Sequence, residues 1–242
     1  AGFYGGLPFN IKHKENILFK NTRMNANICD LVKKTKPKKF IIVGSGCVYP
    51  PKGDTILKEH MVGSLDFHPT VKYSSLANLQ LLQMAKNLDI DFEHLLISNA
   101  YGPGEHTSQE KSHIMGSLIG KIIASKDHLE MMGTGSGIRD YIFIQDVAEA
   151  VCKYCELEHT TNSCTNISNS VGIKVKEIVE ILLKFSGKKL EIVWGDANDD
   201  GVRCKILDNS KMVKDIGFSP KTNIKDGLIQ TWNFFNSNKK FK

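Results

Sequence analysis

No apolar run in this 242-residue chain approaches the roughly 18 residues that would read as a membrane span. No succession of basic, apolar and small residues marks a secretory leader at its front. These absences set the expectation of a cytoplasmic protein without a membrane partner. A basic stripe interleaved with aromatics is also lacking: the net charge of +6, from 32 basic and 26 acidic residues, is spread over short lysine clusters. Nucleic acid is therefore not the expected partner, whereas a doubly anionic small ligand is compatible with such a surface. Six cysteines do not make a disulfide framework in a chain this long with 41% hydrophobic residues. Repeats, low-complexity tracts and linkers are missing, which leaves one sizeable unit or a larger and a smaller one. Finally, no Gly-x-Gly-x-x-Gly lies between a strand and a helix, so the glycine turn that binds a dinucleotide's phosphates is absent from this sequence.

What is present alternates between strand and helix patterns. Lys39-Phe-Ile-Ile-Val43 is a β-branched run suited to a buried parallel strand, and Gly44-Ser45-Gly46-Cys47-Val48-Tyr49-Pro50 follows where it stops. Ligands of α/β sheets bind beyond the carboxyl ends of the strands, which is where Ser45 falls. Tyr73 opens a helical pattern carried by Leu76, Leu79, Leu82 and Ala85, so a hydroxyl at a strand end and a phenol at a helix start could meet. Before the strand, Asn16 to Thr35 reads as a helix with Ile17, Met24, Ile28, Leu31 and Val32 on one side, broken by Pro37. After it come a strand from Asp91 to Ser98, the turn Asn99-Ala100-Tyr101-Gly102-Pro103-Gly104, and a tight Gly133/Gly135 turn leading from one strand to another. A helix from Val175 to Phe185, a strand from Leu190 to Trp194, a short helix opened by Asp208 and a closing amphipathic helix from Ile224 to Phe235 complete the pattern. Cys152-x2-Cys155-x3-His159-x4-Cys164 lies one residue short of a zinc-knuckle spacing. The helix that runs from Asp146, however, buries Cys152 and Cys155 as small hydrophobes, so no metal is expected; Asp146 itself is expected to cap that helix.

Ser45 four positions before Tyr49, followed by Tyr73 on a helix, resembles the extended short-chain dehydrogenase/reductase (NAD-dependent epimerase/dehydratase) family. The resemblance is strongest to its members that epimerise and reduce GDP-4-keto-6-deoxymannose. Asn99-x-Tyr101-Gly-Pro103, Ser112-His113-Ile114, Gly133-x-Gly135-x3-Arg139 and Asp200-Gly201-x3-Lys205 also match, in the family's order, over practically the whole chain. Asn21 and Asn27 fall on the family's Asn positions.

The resemblance implies an α/β fold: a Rossmann-like, doubly wound parallel sheet, lacking its N-terminal strands, with a smaller α/β substrate domain. The cofactor part is expected at 1–105 with returns near 139–167, and the substrate part at 106–138 and 168–242. Ala1-Gly2 would be the tail of a strand end that touches the cofactor, making this the C-terminal three-quarters of a longer protein. The activity implied is nucleotide-sugar epimerisation and reduction with NADPH on a GDP-sugar, by a homodimer paired through helices 16–35 and 73–89.

The same resemblance assigns roles. Ser45 and Tyr73 would serve the sugar oxygen, and Cys47 and His113 would exchange protons during epimerisation. Ala1, Gly2, Ser45, Tyr73 and Asn99 would line the cofactor, and Asn99, His113, Met132, Arg139 and Lys205 the substrate. An unperturbed tyrosine titrates near roughly 10, and a lysine one helical turn on normally lowers it. Here that position is Ala77, and the neighbouring Lys72 points to another face of the helix. The family therefore leaves two alternatives open: another nucleotide-sugar epimerase or dehydratase, such as one for GDP-heptoses, or a catalytically impaired relative that still binds the nucleotide sugar.

Overall fold

The computed structural model describes residues 2–51, 55–108, 112–197 and 201–237. Helix α1 (Leu7–Lys12) leads into α2 (Lys14–Thr35), which ends where Lys36 turns left-handed ahead of Pro37. A residue before proline is kept out of the helical region, so the helix stops there. Strand β1 (Lys39–Ser45) runs two residues beyond the expected Val43, so that Ser45 is its last residue, still extended. Helix α3 (Lys72–Lys86), β2 (Asp91–Ile97), β3 (Asn99–Tyr101), α4 (Ile114–Ala124), β4 (His128–Met131) and β5 (Ile138–Phe143) follow in order. Then come α5 (Ile144–Glu156), β6 (Ser163–Ile167), β7 (Gly172–Lys174), α6 (Val175–Ser186), β8 (Glu191–Trp194), β9 (Cys204–Lys205), α7 (Ser210–Ile216) and α8 (Ile224–Ser237). Both α6 and α7 end on a left-handed glycine, Gly187 and Gly217.

Strands β1, β2 and β6 form a parallel sheet in that order, Ser45 lying in register with Ile97 and Leu96 with Asn166. Strand residues alternate between two faces covered by helices, although Val43, expected in a buried run, is exposed near the end of β1. Phe40, Ile42, Phe92 and Leu96 join Leu79, Leu82 and Ala85 of α3 on one side. Ile41, Leu95, Ile97 and Ile167 pack with Val147, Ala150 and Tyr154 of α5 and Met212 of α7 on the other. This is the doubly wound, Rossmann-like arrangement. A second core gathers α4, α6 and α8 around Leu129, Ile178, Leu182, Leu228 and Trp232. Strand β5 joins the two: Ile142 enters the first core while Tyr141 and Phe143 enter the second. It pairs in parallel with β3 and β9 and antiparallel with β7, and β4 pairs in parallel with β8. Among the described residues no helix is long and apolar enough to cross a membrane.

Three expectations are corrected. The buried stripe of α2 is Ile17, Asn21, Asn25, Cys29 and Val32, whereas Ile28 and Leu31 lie exposed. Polar residues are needed there because α2 meets backbone: Asn25 Nδ2 donates to the Ala77 carbonyl at 2.8 Å, and Asn21 accepts from Phe3 N–H and donates back to Phe3 O. Asn27, by contrast, is exposed. Secondly, Cys152 and Cys155 are exposed, since the inward side of α5 is already taken by Val147, Ala150 and Tyr154. Cys164 is buried on β6 and His159 pairs with Asp91, so the four residues do not converge. Thirdly, Asp146 sits inside the first turn of α5, where its carboxylate accepts from the N–H groups of Lys221 and Thr222; Phe143 occupies the cap position.

Candidate active site

The carboxyl end of β1 turns sharply through a single 3-10 turn at Gly46–Val48. Ser45 caps it, its Oγ accepting from Cys47 N–H at 3.2 Å. Close approach of neighbouring parts explains the glycines: a Cβ on Gly44 would stand 2.1 Å from the ring of His94, and one on Gly46 2.8 Å from Leu207. The start of α3 is tied to this turn by the buried Ser75, whose hydroxyl donates to the Cys47 carbonyl at 2.7 Å. Tyr73, two residues earlier and half-buried, therefore stands at the same end of the sheet as Ser45 and Cys47. Ala77 is 3% exposed, packed where α2 crosses α3, with its carbonyl committed to Asn25. Lys72 begins α3 in the open.

Strand β9 brings in the other groups. Lys205 is in register with Arg139 of β5, so the two bases come from directly opposed positions, whose side chains share a face. Asp140, fully buried, holds this corner by accepting from the N–H groups of Asn169, Ser170 and Leu207 at 3.2–3.3 Å. Burial pushes its carboxyl up to about 6, against the pull of those N–H groups. The Arg139 guanidinium folds back on its own strand, Nη1 donating to the Ile138 carbonyl at 2.9 Å. Lys205 reaches further: its ammonium lies 3.7 Å from Cys47 Sγ. Burial alone would raise the Cys47 thiol. The Lys205 charge and a hydrogen bond with the Ser45 hydroxyl outweigh it and hold the thiol below its ordinary range.

The remaining expected residues lie on other elements, and among them Asn99 is tied to this corner. Asn99 Nδ2 donates to the Asp140 carbonyl at 2.7 Å, committing part of its amide to the sheet. His113 is the cap residue of α4. Crowding of protein around its ring, and then His106, hold its imidazole below the ordinary histidine range, although its surface still meets solvent. Met132 is exposed just before the turn, in which Gly133 and Gly135 both have φ of +71° as a strand-to-strand reversal requires. Trp194 stacks close against Gly135. Gly2 is exposed next to Phe3, which bonds Asn21 of α2, while Ala1 lies outside the described residues.

Two residues of the site region were not anticipated. Ser75 joins the turn to α3, and a serine two places after Tyr73 gives no sign of that partner. Glu105, directly after Gly102-Pro103-Gly104, is pushed up to about 7 by burial, with the N–H groups of Gly116 and His113 pulling the other way. An acid following a turn rich in glycine was the one available signal.

A parallel sheet covered by helices on both faces, with a serine and a cysteine at one strand end and a tyrosine at the start of the adjoining helix, defines an α/β protein of the Rossmann-like class. The chain belongs to the NAD dependent epimerase/dehydratase family, whose model matches residues 1–167. It is 27% identical over 251 residues to a probable GDP-L-fucose synthase 1 of Oryza sativa subsp. japonica, covering 98% of this chain and 75% of that one. It is 25% identical to the GDP-L-colitose synthase of Yersinia pseudotuberculosis, over 97% of this chain and 79% of that one. Among solved structures it superposes on a GDP-D-glycero-L-gluco-heptose synthase of Campylobacter jejuni, determined in the presence of NADPH, with a TM-score of 0.83, 19% identity, and coverage of 98% and 81%.

Proposed function

We propose that this chain carries the substrate side of a nucleotide-sugar epimerase-reductase of the GDP-L-fucose synthase type, which 3,5-epimerises GDP-4-keto-6-deoxymannose and then reduces C4. The observation that carries this reading is the single cluster of Ser45, Cys47 and Lys205 at the end of β1, held to the start of Tyr73's helix by Ser75. In epimerisation the Cys47 sulfur takes a proton from the carbon beside the ketone. An S–H bond forms, and the C–H electron pair moves onto the ketone oxygen as an enolate. His113 returns a proton to the opposite face. Arg139 offers a planar fork to the diphosphate, and Lys205 an ammonium from the opposed strand position. Asn99 and Met132 border the sugar.

The hydroxyl pair fits reduction at a carbonyl, and Gly2, Ser45, Tyr73 and Asn99 would border the nicotinamide half of the cofactor. NADPH, when bound, supplies the hydride. Ser45 orients the C4 oxygen and Tyr73 gives it a proton. The test is an assay of the full-length gene product with NADPH and GDP-4-keto-6-deoxymannose, beside a GDP-4-keto-heptose, following loss of reduced cofactor. Turnover of the deoxymannose substrate is expected; turnover of the heptose alone would replace this substrate with the other. A second reading, binding of the nucleotide sugar without reduction, is favoured by Ala77, which leaves Tyr73 without the family's lysine. Binding with no loss of reduced cofactor would establish it.

A further inference from the structure

Cys47 and Lys205 lie 158 residues apart in sequence, and their meeting is built into the fold at several points. Leu57 and Leu207 form a bridge beside β9, and the Asn166 amide donates to the carbonyls of Leu57 and Asp208. The same amide's oxygen accepts from the Tyr49 hydroxyl at 2.6 Å, two residues past Cys47. The Asp140 carboxylate fixes Leu207 N–H from the other side. The cysteine turn and the lysine strand are thus clamped to the same short stretch of β6. Lys205 is half-buried, and its ammonium lies 3.7 Å from the sulfur.

We infer that Lys205 is a positioning residue for Cys47, its ammonium favouring the thiolate form of the sulfur, the form that accepts a proton. This deepens the proposed reading, since it identifies what makes Cys47 the base of the epimerisation. Thiolates are favoured beside a lysine ammonium and disfavoured in apolar surroundings. Lys205 from β9 is the charged group acting on Cys47. The Ser45 hydroxyl supports it from the same turn, and α3 contributes the neutral Ser75 to the Cys47 carbonyl and Tyr73 at its start. An ammonium carries three donors, so Lys205 serves the sulfur and still has an N–H to offer a phosphate oxygen.

The test is the pH dependence of Cys47 alkylation by iodoacetamide, in which an S–C bond forms and iodide leaves, without substrate or cofactor. Replacing the exposed Cys152 and Cys155 with serine keeps them from consuming reagent. Peptide mapping then reports Cys47 separately from the other thiols. The inflection for Cys47 is expected below the about 8.5 of a free thiol. Lys205→Met, or the milder Lys205→Gln, should shift it upward and slow alkylation at neutral pH by at least about fivefold, and Lys205→Arg should preserve most of the rate. An unchanged profile in the Met or Gln variant would overturn the inference. So would an inflection at or above the free-thiol value in the unaltered protein, which needs no Lys205 variant to fold. Because the readout is thiol reactivity alone, a protein that reduces no nucleotide sugar can still pass, and an active one can still fail.

Discussion

Replacing Lys211 with methionine isolates a buried ion pair of the sheet. Glu93, in the middle of β2, is completely buried. Its carboxylate accepts from Thr161 N–H at 2.8 Å, Thr161 Oγ1 at 2.7 Å, Thr165 Oγ1 at 2.6 Å and the Lys211 ammonium at 3.0 Å. Lys211 also bonds Asp215 one helical turn on, at 2.9 Å, and Thr165. Breaking a buried pair by removing one partner costs about 3–5 kcal/mol, because a buried charge is left uncompensated. Three hydrogen bonds to Glu93 survive, and the lysine side chain is 25% exposed, so the low end applies, about 3 kcal/mol. For a chain of this size each kcal/mol moves the midpoint by roughly 2–4 °C, giving a fall of roughly 6–12 °C. Urea unfolding and thermal melts of Lys211→Met measure this directly. Glu93→Gln in the same chain should recover part of the loss, since it removes the stranded charge. A loss under about 1 kcal/mol, or no recovery in the double variant, would refute the claim that the ion pair compensates a buried carboxylate.

Asp140 gives a pH prediction. Its folded value is raised to about 6, above the roughly 3.9 of an unfolded aspartate, so the folded state binds the extra proton. Its contribution is fully present below about 4 and is lost as pH rises through about 6, amounting to roughly 2–3 kcal/mol. Asp140→Asn should flatten that decline in urea midpoints measured between those pH values; an equally steep decline would place its origin elsewhere. Ser75→Ala removes the hydroxyl that binds the Cys47 carbonyl and should cost about 1–3 kcal/mol, with slower solvent-deuterium exchange at the sugar carbons flanking the ketone. Unaltered exchange would separate the turn's position from its chemistry. Ala77→Lys should raise reduction at neutral pH per folded molecule at a stability cost of about 1–3 kcal/mol, because the position is packed against α2. An unchanged rate in well-folded protein would remove Tyr73 from the acid/base role.

The strands and helices were legible because their signals are local. Lys39–Val43 and Asp91–Ser98 are apolar runs, and the helices at 175–185 and 224–235 repeat at helical spacing, so each of these four was found within a few residues of its true ends, whereas the short α1, β7 and β9 were not anticipated. The faces of the helices were less legible. In α2 apolar spacing pointed to Met24, Ile28 and Leu31, but the packed side of the helix is a different one, which faces the backbone of α3 and of Phe3. Amide side chains satisfy such groups and leucine does not, so Asn21 and Asn25 turn inward. In α5 the cysteines lost the inner face to bulkier Val147 and Tyr154, which bury more apolar area. Both outcomes depend on what lies opposite, and a single helix's periodicity carries no information about that.

The site divides along the same line. Ser45, Cys47 and Tyr73 could be placed from the strand end and helix start that bear them. Lys205's contact with Cys47 could not, because it is produced by the register of β9 on β5 and by buried amides and carboxylates that clamp both to β6. That division bears on Ala77. The groups suited to moving protons at carbon, Cys47 with Lys205 and Ser45, are assembled by contacts in which Ala77 takes no part. The group suited to reduction, Tyr73, sits on the helix where the alanine replaces the expected charge. On the proposed reading, the basis for epimerisation is thus physically separate from the basis for reduction. Deuterium exchange and cofactor oxidation, measured side by side on one substrate, therefore report on two separable parts of the site.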